Sequence, residues 1–421
     1  MANEFSKEEK VAFDQLLEGF NDQLILTLMM NRYNVDGVTM ERTSDVIWRP
    51  MPYIMNSYDG QDQTGNFLEK GQMSVPVTVG YEKSVPWLMS ATELRDALQE
   101  KRLGEAAKQR LASDINVAGM TVAALQGTIV IPIAGASSSS TLGGYNAVSQ
   151  ADAYMNEIGV MMDNRHMALS SRDYNGMASD LAARQTMGPK VTGAYERSYV
   201  GNVAGFNTVK LDYANRITAA AGTCNISGAN QYYTPKATSI AATGERSNVD
   251  NRYQTITVDD GTDVVAGDCF TVADVYAVHL ITKQSTGQLK TFRVIEVSGN
   301  NLKISPPFIS GGGGTQPEIQ YQNVDSTPAD GAALTFLNTD AAAINPFWHK
   351  DALEIIPSGY SEPMNAGAAI LKATSDQGIE ISMEKFYDIN TKKIKYRCDV
   401  RFGIGNKQPE MTGIMIFGQT S

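Results

Sequence analysis

SATELRDALQEKRLGEAAKQRLASDINVAGMTVAALQG, residues 90–127, is the stretch whose reading organises the rest of the chain. Its spacing predicts one long helix. Ser90 and Glu93 stand at capping-box distance, each side chain taking an orphan amide of the first turn. Gly127 sits where a glycine relieves the left-handed turn at a helix end. Between them Leu103, Ala107, Leu111, Ile115, Ala118, Val122 and Leu125 step by three or four and draw one apolar stripe. At 1.5 Å per residue the segment would run ~55 Å, wider than an ordinary domain core. Leu94 and Leu98 fall off the stripe, so the first turns face a different partner, with Gly104 available for a bend. Nothing reactive lies along this rod. It suits the central helix of a large enzyme domain or a mechanical strut.

Upstream, residues 46–53 and 73–79 alternate in polarity on either side of a tip rich in Gly, Asp, Gln and Asn, which predicts a long hairpin. A two-stranded ribbon is marginal in water and has two bare edges, so something must cover it: another copy of the chain or the chain's own sheet. The preceding segment SKEEKVAFDQLLEGFNDQLILTLMMNRY reads as an amphipathic arm. Val11, Phe13, Leu16, Leu17 and Phe20 share one face, and Glu8, Glu9, Asp14 and Glu18 share the other.

Downstream of the rod, ASSSSTLGGY (136–145) reads as a loop, and residues 148–217 alternate short helical and strand patterns. At Thr218 the composition turns to Thr, Ala, Gly, Asn and Ser. The runs YQTITV, DCFTVADVYAV, LKTFRVIEV and NLKISPPFI, separated by turn signals such as Asp260-Gly261 and Gly299-Asn300, predict a small β-barrel or sandwich. The mixed pattern returns at Ala341. A β-module between two halves of an α/β section reads as an insertion, because a module's termini commonly lie close together.

The 421 residues carry 35 Lys and Arg against 46 Asp and Glu, a net charge of −11, which argues against a dedicated nucleic-acid binder. Cys224, Cys269 and Cys398 are odd in number and far apart, so they predict buried thiols in a reducing cytosol. The charged opening MANEFSKEEK predicts no secretory signal, and no apolar run approaches the ~20 residues of a membrane span. His166, His279 and His349 lack a metal-ligand partner at i+3 or i+4. Gly311 to Gly314 lacks the lysine and the following helix of a phosphate loop. Ser170 and Ser171 near His166 make no triad by sequence proximity alone. The expectation is a non-enzyme, without catalytic, cofactor or metal site.

Six stretches, in order along nearly the whole chain, resemble the major coat proteins of tailed bacteriophages, which share the HK-ninety-seven fold. The likeness is to the P-twenty-two-type short-tailed phages, whose coat proteins carry an inserted β-domain. MERTSDVIWRPMP is similar to the start of that family's extended loop, and TELRDALQEKRLGEAAKQRLASDINVAGM to its spine helix. DNRHMALSSRDYNGMASDL resembles the family's strand leading into a helix. GNVAGFNTVKLDYANRI resembles the strand before the insertion, SNVDNRYQTITV a loop and strand inside it, and NPFWHKDALEII the chain's return.

The resemblance implies an α+β HK-ninety-seven-like fold. Its parts are an N-terminal arm (1–44), extended hairpin loop and peripheral strands (45–89), spine helix (90–127), first half of an α/β core (128–217), inserted β-barrel (218–340) and second half of the core (341–421). It implies a major capsid protein that self-assembles into hexamers and pentamers of an icosahedral shell around phage double-stranded DNA. The expected partners are itself, a scaffolding protein, a portal protein and, non-specifically, the packaged DNA, with no membrane. Assembly is expected in the bacterial host cytoplasm, and residence in the virion capsid. Asp14 and Glu18 are the candidate contacts to a basic scaffolding helix. Asp59, Asp62, Glu69 and Lys70 on the hairpin, and Glu245, Arg246, Asp250 and Arg252 in the insertion, are the candidate contacts between subunits. A nanocompartment shell of the same fold and a soluble enzyme with a β-module are the competing readings.

Overall fold

A computed structural model describes residues 24–33, 46–52, 71–90, 97–134, 144–182, 200–211, 214–360, 367–375 and 377–420, with scattered positions within 5–17 and 54–67. The chain divides into two compact units: residues 1–47, 77–119 and 353–405, and residues 48–76, 120–352 and 406–421.

The first unit is built on the strand Lys393–Asn406. Tyr396, Cys398, Val400 and Phe402 are buried and Lys395 and Arg397 are exposed, the period of two that a strand imposes, until Asp399 is buried as well. It pairs antiparallel with Glu380–Asp388 and with Tyr81–Ser90, and the sheet continues to Leu353–Ser358 and Ala369–Thr374. Register brings Trp87 onto Tyr396 and Tyr81 onto Phe402, ring centroids 5.5 and 5.2 Å apart, the cross-strand aromatic pairing that stabilises sheets.

The N-terminal arm differs from its expected amphipathic split. Phe13 is buried but Val11 is 56% exposed. Glu9, placed on the solvent face by pattern, is buried, taking a hydrogen bond from Tyr396 Oη at 2.8 Å and lying 2.5 Å from Lys385 Nζ. Lys385 and Tyr396 are register partners on adjacent strands, so their two donors converge and need one acceptor between them.

The long helix spans Ala97–Gln126. The expected cap at Ser90 is corrected: Ser90 ends the preceding strand, paired with Lys393, and Glu93 lies outside the described residues. The strand has priority because its hydrogen bonds extend without a break from Tyr81 to Ser90. Ala107, Leu111, Ile115, Ala118 and Val122 are buried as the stripe predicts, but its ends, Leu103 and Leu125, are 36% and 45% exposed. Gly127 is not left-handed either. It gives room: a Cβ there would lie 3.0 Å from Ala123 O and 3.3 Å from the backbone of Gly413.

The second unit holds a seven-stranded sheet. Its main path runs Ile129–Ala134, Thr412–Gln419, Ala342–His349, Arg165–Ser170, Phe206–Leu211 and Asn202–Val203. Helices Gly144–Ile158 and Ser171–Ala182 bury Val148, Met155, Met177 and Leu181 in one core with Phe206, Phe347 and Met415. The strand-to-helix junction at 170–171 is held by buried polar groups. Ser170 Oγ accepts from Asp173 N and donates to Asp173 Oδ2 at 2.6 Å, and Asn345 Nδ2 donates to the same carboxylate oxygen at 2.8 Å. Ser170 is therefore a helix cap, which accounts for its hydroxyl.

Arg216–Ile217 pairs with Ala342–Ala343, so the chain leaves the core sheet and rejoins it at adjacent positions. Between them lies a five-stranded antiparallel sheet in the order Gln254–Thr257, Asn301–Ser305, Ser285–Ser298, Cys269–Val278, Leu334–Phe336. Bridges Ile226–Val258 and Asn225–Ala333 join its two edges through residues 225–226, which removes bare edges. Phe270, Phe292, Phe308, Ile256, Leu302 and Ile304 make its separate core. One correction falls here. Gly311 to Gly314 is followed by a helix, Gln316–Tyr321, but this is a short turn whose Glu318 accepts the Gly313 amide at 2.8 Å.

Candidate assembly surface

The strand Ser285–Ser298 joins the β-module to the core of its unit through three neighbouring side chains. Thr291 Oγ1 donates to Thr128 O at 2.7 Å and accepts from Val130 N at 3.2 Å, supplying the rungs a sheet neighbour would supply. Arg293 is fully buried and donates to the carbonyls of Ala124 and Gly127. A cation at a helix C-terminus is favoured by the dipole and satisfies the last carbonyls, so arginine performs the capping expected of Gly127. Lys290 Nζ lies 2.6 Å from Glu410 Oε1, which also accepts from Asn323 Nδ2 at 3.0 Å. Nearby Lys283 donates to Gln322 O at 3.1 Å; burial, together with Lys290, lowers its pKa to about 8 against the opposing pull of Glu410.

Two features carry the candidate contacts between copies. The first is the hairpin Thr238–Ile240 with Arg246–Asn248, all six residues of which are exposed. Its turn is closed by Ala241 N donating to Glu245 O (2.9 Å) and Gly244 N to Ala241 O (2.8 Å), with Gly244 at φ 84°. Glu245 and Arg246 stand exposed at this tip, beside Ile240, 64% exposed. At its base the structure brings Asp250 and Arg252 together. Arg252 Nη2 lies 2.6 Å from Asp250 Oδ2 and its Nε 2.9 Å from Oδ1, while Nη1 donates to Asn406 O at 2.9 Å. This fork is a contact within the chain.

The second is the ribbon, where Val46–Pro50 pairs with Ser74–Thr78. In its connecting segment Asp59 and Asp62 are exposed. Asp62 Oδ1 accepts from Thr64 N and Oγ1 at 3.1 and 2.6 Å, which holds its carboxyl below the usual range. Glu69, Lys70, Asp14 and Glu18 lie outside the described residues. Sequence pattern missed that Met55 and Phe67 are 63% and 88% exposed. Large apolar groups inside a run otherwise rich in Gly, Asp and Gln were the available signal. It also missed Lys290 and Arg293, whose signal was a charge within strand text, and Glu410, which lies in a short turn before the last strand and carried no such signal.

The chemistry of the remaining polar groups is quiet. His166 is half-buried beside Trp348; burial first, then Lys350 and His349, lower its pKa to about 4, so it is neutral at pH 7. The three cysteines are free and buried, and burial raises their pKa to about 11 or 12. Among the described residues no three His, Cys, Asp or Glu side chains are grouped to hold a metal, and no helix is long and apolar enough to cross a membrane.

The family model for the P22 coat protein, gene protein 5, matches residues 1–418. Among solved structures, the chain is similar to the capsid of the cyanophage P-SCSP1u at 10% identity and a TM-score of 0.46, covering 93% of this chain and 87% of that one. Similarity to a chain of the Mycobacterium phage Che8 is 9% identity and TM-score 0.44, covering 92% and 89%. The I-domain of the CUS-3 coat protein matches at 37% identity and TM-score 0.23 over 28% of this chain and 99% of its own.

Proposed function

The chain belongs to the P22 coat protein family, a structural protein of the virion capsid that builds an icosahedral shell, and from that premise we propose how its surfaces close the shell. The observation carrying the proposal is a pair of exposed elements: the hairpin at 238–248, and Met55 and Phe67 in the segment that connects the ribbon's strands. An isolated two-stranded hairpin is marginal in water, and large apolar side chains such as Met55 and Phe67 are costly to leave exposed. Each gains stability when a neighbouring copy covers it.

Head-to-tail contacts of this kind close into hexamers and pentamers. Each can be weak, ~4 kcal/mol or millimolar, because every subunit holds several at once, and weak contacts let misplaced subunits leave. Glu245, Arg246, Asp59, Asp62, Glu69 and Lys70 are the proposed polar contacts between copies. Asp250 and Arg252 shape the base of the hairpin. The net charge of −11 suits a container for double-stranded DNA, since a basic inner wall would bind the polymer it must let slide. Asp14 and Glu18 are the proposed seat of a basic scaffolding helix; Glu9, engaged with Lys385, is not part of it. A portal vertex for DNA passage follows the same reading.

Size-exclusion chromatography followed by electron microscopy tests the function. Closed shells of megadalton mass are expected. A protein that remains monomeric at every concentration, with or without a scaffolding partner, would overturn it.

A further inference from the structure

The segment between the exposed hairpin and the module's first core strand touches more than its length suggests. Residues 250–252 follow the hairpin's second strand, Arg246–Asn248, by one residue. Asp250 makes a parallel bridge to Ser74 at the root of the ribbon. Asn251 Nδ2 donates to Met73 Sδ at 3.2 Å, and its Oδ1 accepts from Lys236 N at 3.0 Å and Tyr233 Oη at 3.1 Å. Arg252, forked onto Asp250, reaches Asn406 O. From the module's short helix, Tyr321 Oη donates to Gly71 O at 3.0 Å. Met73, Ile309 and Tyr321 are buried together, with Met51, Ile54 and Tyr233 against them.

We propose that residues 250–252 with Tyr321 form one shared anchor for both arms, fixing the direction in which the ribbon and the hairpin leave the body of the unit. This rests on the reading that both arms meet neighbouring copies. The physical basis is the absence of slack. Asn251 is 6% and Arg252 9% exposed, and their polar atoms engage the ribbon root, the hairpin base and the core at once. A buried network of this kind moves as a unit, because shifting one member strands the others without partners. Force or disorder in one arm therefore passes to the other within a few residues. The anchor's members are positioning residues, acting through the arms.

Hydrogen exchange on the unassembled full-length chain tests this. Tyr321→Phe keeps the ring and removes the hydroxyl. It should speed exchange at the Met51 amide, which bonds Met73 O, and along Ser74–Thr78 by roughly fivefold, the scale of one lost hydrogen bond. Met73→Leu, which keeps the apolar volume and removes the sulfur acceptor, should speed both the ribbon root and residues 238–248. The helix Gly144–Ile158 should exchange as before in each variant, which separates loosening from global unfolding. Unchanged exchange at the ribbon root in Tyr321→Phe, or a ribbon that loosens in Met73→Leu while the hairpin does not, would overturn the anchor. Electron microscopy of the parental chain is read separately. Absence of shells there defeats the capsid reading and leaves the exchange result standing.

Discussion

Replacing Glu410 by Gln is the sharpest probe of how the β-module is held. Lys290 is 3% exposed and its Nζ sits 2.6 Å from a carboxylate that is 14% exposed. Glutamine is nearly isosteric and still offers an oxygen to Asn323 and Lys290, so the substitution removes charge with little change of shape. Breaking a buried pair by neutralising one member costs ~3–5 kcal/mol, because the other charge is left uncompensated. The residual exposure of Glu410 and the retained hydrogen bonds place the expectation at the low end, about 3 kcal/mol. Urea unfolding of the unassembled chain, followed by the fluorescence of Trp348, buried in the same unit, reads the loss. Lys290→Met combined with Glu410→Leu should recover most of it, since apolar groups of similar volume replace buried pairs at little cost.

A pH signature accompanies this prediction. Lys283 titrates at about 8 in the folded chain and near its ordinary 10.5 when unfolded. Between those values the unfolded state holds the extra proton, so this lysine's contribution to stability rises with pH, by about 1.4 kcal/mol per unit at most. The buried thiols act oppositely. Their pKa values are raised to about 11 or 12, so folded protein keeps protons that unfolded chains release, and their contribution falls above pH 9. Comparing the parental chain with Lys283→Met cancels the thiol effect. Because Glu410 favours the charged form of Lys283, the gap between parental chain and Glu410→Gln should narrow as pH rises through 8. A loss below ~1 kcal/mol in Glu410→Gln, or a gap independent of pH, would refute the reasoning.

Two further outcomes are expected. Gly413→Ala would drive a Cβ into the Phe347 ring and to 2.8 Å from Ile129 Cβ, an overpacking cost of ~1–3 kcal/mol that should appear as a lower melting temperature; an unchanged melt would show that the sheet has slack there. Cys398, fully buried with its pKa pushed up to about 12, should resist a disulfide reagent at pH 8 until the chain unfolds, and labelling within seconds in the folded protein would contradict that.

The hydrophobic period was legible wherever an element meets one partner along its length. Ala107 to Val122 on the helix, and the alternation in Gln254–Thr257, needed only local spacing. Element ends were not legible. Ser90 has the chemistry of a cap, and the strand pairing that claims it comes from Lys393, three hundred residues away. The same holds for Glu9, whose place among acidic neighbours predicts solvent and whose partners arrive from adjacent strands.

The candidate contacts divide in the same way. The family resemblance pointed to Glu245, Arg246, Asp250 and Arg252 as a group, and only the fold shows that the last two bind each other while the first two stand at an exposed tip. By itself, then, the amino-acid order determined the long helix, the strand-rich stretch after it and the family, because these rest on periodicity and on ordered local motifs. The tertiary structure alone decided which charges are buried, which residue caps the helix, and what anchors the arms. Each of those depends on groups brought together from distant positions, whose desolvation and pairing have no local signature.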